Sequence, residues 1–221
     1  MFNRHREPWL WKMIPLLNVG WQTAPDYSFG ERDTDVLSVI NSEDLTFFTF
    51  DGLKRRLGLH PETLSRILAR LEQEGLLKKE AHGYKVSPRI TKLKLHEPEN
   101  DENHVPLLQT YLPSNMQVQH LIANLNGKWF GLLRWFGLSE TSRGVTLKWV
   151  TEDGGIQINA NIADSTLSIE AKFLRENNLN LALSASYQLM SHIGKLCSGS
   201  RTATATHVGY FGDGNTFLMP A

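Results

Sequence analysis

The chain has 221 residues, 23 basic and 23 acidic side chains, and 41% hydrophobic residues. That length suits two modest domains, and the apolar share is too high for a disordered chain. No run approaches the roughly 18 consecutive apolar residues of a membrane span. In the opening stretch MFNRHREPWLWKMIPLLNVGW, Lys12 falls among the apolar residues and Pro15 and Gly20 follow it, a pattern unlike a secretory signal. One cysteine, Cys197, excludes an intramolecular disulfide framework and fits a reducing, cytoplasmic setting.

The neutral total hides an asymmetry. Residues 51–95 carry 11 basic and 5 acidic side chains, whereas the segments on either side are each net negative. A concentrated basic segment in a neutral protein points to contact with a polyanion. The plain alternative is a solvated charged face.

In chain order, residues 1–30 form an aromatic-rich arm with Trp9, Trp11, Trp21, Tyr27 and Phe29. Trp9, Leu10, Ile14 and Leu17 can make one apolar face. The arm can pack on its own domain, contact a second copy or lie in a membrane interface. Residues 31–45 read as a helix with Val36, Leu37 and Ile40 at helical spacing and Asp33 and Asp35 near its start. Leu45–Thr49 reads as a short strand, and Thr49 can cap a second helix through Leu57. Gly58 suits a left-handed cap, and His60-Pro61 opens a third helix to about Glu74. Leu76–Glu80 and Tyr84–Ser87 read as a hairpin around Ala81-His82-Gly83.

The acidic stretch HEPENDENHV, residues 96–105, reads as a linker. Residues 106–126 look partly helical, with a break at Pro113-Ser114. Four strand-like runs follow: Trp129–Phe136, Val145–Val150, Ile156–Ile162 and Thr166–Phe173. Asp153-Gly154-Gly155 is a strong hairpin turn. A helix is expected over about 176–196, then strands over 203–211 and 216–219 around a Gly-rich turn. The expected fold class is α+β: a helical unit with a hairpin over 31–95, then an α+β unit over 106–221 with a mostly antiparallel sheet.

The informative stretch is residues 49–87. On the third helix Leu64, Ile67, Leu68 and Leu71 form one buried stripe. Opposite lie Glu62, Thr63, Ser65, Arg66 and Arg70, beginning at the helix N-terminus beside His60. Such a face can enter a major groove, with Arg66 suited to a bidentate contact on guanine. Lys54, Arg55 and Arg56 on the second helix, and Lys78, Lys79, Lys85 and His82 on the hairpin, can neutralise phosphate. The stretch LKRRLGLHPETLSRILARLEQEGLL followed by a basic hairpin resembles the winged helix-turn-helix regulators of bacteria and archaea, the broad group that includes the MarR and ArsR families. The resemblance covers roughly residues 31–88. It implies a winged helix-turn-helix that binds double-stranded DNA, and a transcriptional regulator, repressor or activator, acting as a homodimer. Residues 106–221 would then serve dimerisation or effector sensing. The alternative is a winged helix serving protein–protein interaction. His60 stands where a Ser or Asp cap is usual, and Gly52 where a better helix former is usual.

Other constellations point elsewhere only weakly. The eight histidines and Cys197 show no metal-ligand spacing, so no metal and no cofactor are expected. GYFGDGN, residues 209–215, reads as a hairpin turn, since no Lys-Ser or Lys-Thr follows it. No triad or carboxylate pair of catalytic spacing is present, so an enzyme is not expected. Trp129, Trp135 and Trp149 lie on strand-like runs, where they can be core or wall an apolar effector pocket.

Overall fold

A computed structural model of the chain describes residues 30–90, 104–175 and 177–205. The N-terminal arm, most of the acidic linker and the C-terminal strand run from residue 206 lie outside the described residues. Within them the order is α1 (Glu31–Ser42), β1 (Phe47–Phe48), α2 (Phe50–Leu57), α3 (Pro61–Gln73), β2 (Leu77–Glu80) and β3 (Gly83–Val86). Then come β4 (His104–Tyr111), α4 (Val118–Leu125), β5 (Leu133–Thr141), β6 (Gly144–Thr151), β7 (Ile156–Ala163), β8 (Thr166–Phe173) and α5 (Leu179–Ala205). The protein is a mixed helix and sheet fold, and the eight strands among the described residues join one antiparallel sheet in the order β2-β3-β1-β5-β6-β7-β8-β4.

Local chemistry explains the first elements. The Thr49 hydroxyl accepts from the Gly52 amide at 3.1 Å, which caps α2. Gly58 ends α2 with φ +64°, a backbone conformation glycine adopts without Cβ strain. Pro61 opens α3, where its missing N–H costs nothing, and His60 before it makes no side-chain cap bond. Leu64, Ile67, Leu68 and Leu71 are all buried, as their spacing requires.

Three expectations need correction. Residues 104–111 are neither linker nor helix but strand β4, paired along its length with β8. The apolar residues Val105, Leu107 and Leu108 pack on the core that β8 builds, and Pro106 falls at a register shift. The chain around Trp129 is not strand, since β5 begins only at Leu133. Residues 203–205 end α5 rather than start a strand.

Two apolar cores lie against the one sheet. The first gathers α1, α2, α3 and the hairpin, and Phe136 and Val150 complete it from β5 and β6. The second gathers α4 and α5 against Trp135, Leu147, Trp149, Ile158, Ile169 and their neighbours. A register shift between Trp135 and Gly137 turns Phe136 into the first core while Trp135 and Leu138 enter the second. The short β1 joins the two halves, pairing Phe47 and Phe48 with β3 on one edge and with Leu138 and Gly137 on the other.

The same junction explains Gly52. A Cβ there would lie 2.5 Å from the Phe136 Cα and 2.9 Å from its carbonyl oxygen. Helix propensity favours alanine by about 1 kcal/mol, but the obstacle is backbone and cannot rotate away. Gly52→Ala should therefore destabilise the fold by about 1–3 kcal/mol. A urea midpoint at or above that of the wild type would show that α2 does not rest on β5 this closely.

Candidate functional site

The hairpin carries the basic residues that remain most available. Lys78, Lys79, His82 and Lys85 are exposed, and none forms an ion pair among the described residues. Lys78 and Lys85 stand directly opposite one another in the β2–β3 register. Like charges at such a pair repel, so an anion bound there is favoured. Lys79 pairs in register with Tyr84 on the other face, and Tyr84 stacks on Phe48 at 5.6 Å between ring centroids. The Lys79 backbone amide donates to Glu72 of α3 at 3.2 Å, which fixes the hairpin against that helix.

On α3, Glu62, Ser65 and Arg66 are exposed and Thr63 is half-buried. Arg66 forms an i, i+4 ion pair with Glu62, and both side chains are largely in water. Such an exposed pair contributes about 0.2–1 kcal/mol and opens readily. Arg70 is bonded to the buried Asp33 of α1 at 3.1 Å, so it ties α3 to α1. Asp33 also accepts from the Gly30 amide at 3.0 Å, closing the start of α1. Lys54 is engaged by Asp51 at 2.8 Å. His60 is exposed at the start of α3.

Arg56 differs from the sequence expectation. It does not face outward with Lys54. Its Nη2 lies 3.4 Å from Glu43, and its Nε donates to Gln157 Oε1 at 3.1 Å. Glu43, at the end of α1, also binds Lys148 and Lys172, each at 3.0 Å, and accepts from Gln157 Nε2 at 2.7 Å. Gln157 passes the network to Asn159, and Asn159 to Glu170. Ser139 donates to the Glu43 carbonyl at 2.8 Å. Burial alone would push the Glu43 carboxyl up. Lys148, Lys172, the Gln157 amide and Arg56 overcome that and hold it far below the usual carboxylate range. Three cations from α2, β6 and β8 thus converge on one carboxylate between the helical unit and the sheet. Arg56→Gln should lower stability by about 1–3 kcal/mol and leave the salt dependence of any duplex binding unchanged. A changed salt slope with unchanged stability would return Arg56 to the outer face.

Sequence reasoning missed this centre. Its signal was Lys148, the one charged residue of β6, and the polar residues Gln157, Asn159, Glu170 and Lys172 at alternate positions of β7 and β8. Alternation places all of them on the sheet face away from the second core.

The three tryptophans separate. Trp149 is fully buried, meets Trp135 edge-on at 5.2 Å and donates its Nε1–H to the Lys128 carbonyl at 2.9 Å. It is core, and the expectation that it walls a pocket is corrected. Trp135 is nearly buried but reaches a cleft of about 610 Å³, and Trp129 stands 61% exposed at the mouth of the same cleft. Arg134 lies over the Trp129 ring at 4.8 Å. Arg55, Ser65, Lys79 and His82 line the cleft from α2, α3 and the hairpin. Arg55 is half-buried there and does not stand on the outer face with Lys78 and Lys85.

Compared with models of known families, the chain matches none, and no curated protein matches it. Among the described residues no helix is long and apolar enough to cross a membrane.

Proposed function

We propose that the protein binds double-stranded DNA through a winged helix-turn-helix formed by α1–β3, and that it acts as a transcriptional regulator. The observation that carries the reading is the unpaired, directly opposed Lys78–Lys85 pair on a hairpin fixed beside the exposed polar face of α3. The order helix, strand, two helices and hairpin, with β1 closing a three-strand unit, supports it. In this reading Ser65 and Arg66 meet base edges, and Lys78, Lys79 and Lys85 meet phosphate. The Glu62 pair is no obstacle, because a guanine contact supplies about 1–3 kcal/mol and the exposed pair less than about 1. Binding as a homodimer would set two such units about one helical turn of DNA apart.

One observation favours a second reading, a winged helix that binds protein. Lys54, Arg56, Arg66 and Arg70 are each engaged by an acidic side chain. The basic segment is therefore less available than its composition implies. Selection from a pool of random duplexes discriminates the two. The duplex reading expects an enriched site, and Arg66→Ala should lose about 1–3 kcal/mol at one base pair of it while leaving the other positions intact. An unenriched pool would favour the protein-binding reading. An enriched site that Arg66→Ala binds with unchanged preference would move the reading face off α3.

A further inference from the structure

The cleft between the hairpin and the turn that follows α4 has two features that its neighbours lack. Its mouth carries an exposed indole, Trp129, with Trp135 behind it and Phe50 and Tyr84 also on its walls. Its side carries Arg55, whose Nη1 is buried with no hydrogen-bond partner among the described residues. A buried guanidinium N–H without an acceptor is costly, and native folds nearly always supply one. The nearest carboxylate on α2, Asp51, is already bonded to Lys54 at 2.8 Å. Lys79 adds a second cation at the cleft wall, and the exposed Glu80 adds an acceptor.

We propose that this cleft binds a nucleoside phosphate, with the base stacked on Trp129, the phosphate on Arg55 and Lys79, and ribose hydroxyls donating to acceptors such as Glu80. Each part of the ligand answers a part of the site. A planar π-face suits the exposed Trp129 indole, over which Arg134 already lies at 4.8 Å, and a phosphate suits a guanidinium with one nitrogen unbonded among the described residues. The volume of about 610 Å³ accommodates a mononucleotide. The same chemistry is offered by a free nucleotide and by one unit of a single strand. The inference does not rest on the duplex reading: Lys79 and Ser65 belong to both surfaces, but Arg55 and Trp129, on which it turns, take no part in that reading.

Calorimetry with the four nucleoside 5′-monophosphates, adenosine, ribose 5-phosphate and a mixed-sequence single-stranded ten-mer tests it. At least one monophosphate should bind at micromolar to millimolar concentration. Adenosine and ribose 5-phosphate should each bind at least about tenfold more weakly, since each lacks one half of the recognition. Arg55→Met and Trp129→Ala should each lose about tenfold, with thermal melts showing that both variants remain folded. A single strand that binds tenfold tighter than the best monophosphate identifies the source as a strand, and equal affinity identifies it as a free nucleotide. No binding of any monophosphate at millimolar concentration overturns the proposal. So does binding that folded Arg55→Met and Trp129→Ala leave unchanged.

Discussion

Glu43→Ala is expected to destabilise the fold by about 3–5 kcal/mol, more than Gly52→Ala or Arg56→Gln. The reason lies in what the change leaves behind. Lys148 and Lys172 reach this carboxylate through low-dielectric surroundings, and with Arg56 they would face one another without an anion. The loss is an uncompensated buried charge rather than the worth of one ion pair. Glu43→Gln keeps the shape and some hydrogen bonds but removes the charge, so it should lose less than Glu43→Ala and still be clearly destabilised. Replacing Glu43 and Lys148 together by Leu and Met should recover part of the loss, because an apolar pair does not need its partners charged. Urea unfolding of the four proteins checks this, and a Glu43→Ala loss below about 1 kcal/mol would show the centre to be solvated.

The same centre sets a pH dependence. The Glu43 carboxyl is held below its ordinary value of 4.5 in the folded state. Its contribution is therefore fully present above that pH and declines as the pH falls beneath it, because the unfolded chain takes up the proton first. Wild-type stability should fall more steeply below about pH 4.5 than that of Glu43→Gln, which has no carboxyl at this position to protonate.

The triple change Lys78→Ala, Lys79→Ala, Lys85→Ala should have the largest effect on duplex binding. Each lysine is exposed, and none forms an ion pair among the described residues, so none needs to leave a partner to reach phosphate. Loss of three phosphate contacts should reduce the slope of log K against log salt by about 2.7. The advantage of wild type over variant should then shrink by about 40-fold between 50 and 200 mM salt. Stability should not fall with it, because removal of the opposed Lys78 and Lys85 relieves a like-charge pair. If affinity falls equally at both salt concentrations, the lysines act through the hairpin's structure and not through phosphate.

Local signals carried much of the N-terminal half. The Leu64–Leu71 stripe, the Thr49 cap, Gly58 and Pro61 each specify backbone or burial within a few residues, and each appears in the fold as its chemistry requires. Strands β6, β7 and β8 were legible for the same reason, from runs bounded by turns such as Asp153-Gly154-Gly155. What escaped was long-range. The pairing of β1 with β5 joins residues about 90 positions apart, and no periodicity within either strand announces it. Arg56 reads as one more cation in the Lys54–Arg56 run until Glu43 and Gln157 are brought beside it. Gly52 looked like a poor helix residue because the β5 backbone against it is invisible in sequence. Trp129 and Trp149 both lie in apolar runs, and only the late start of β5 separates a surface indole from a core one.

Fluorescence anisotropy of a labelled duplex of arbitrary sequence, titrated with the full chain from 50 to 200 mM salt, tests the central claim most directly. Binding is expected at the lower salt and should weaken with a log–log slope of about −3 or steeper. Absence of binding at 50 mM, or binding that salt does not weaken, would contradict it.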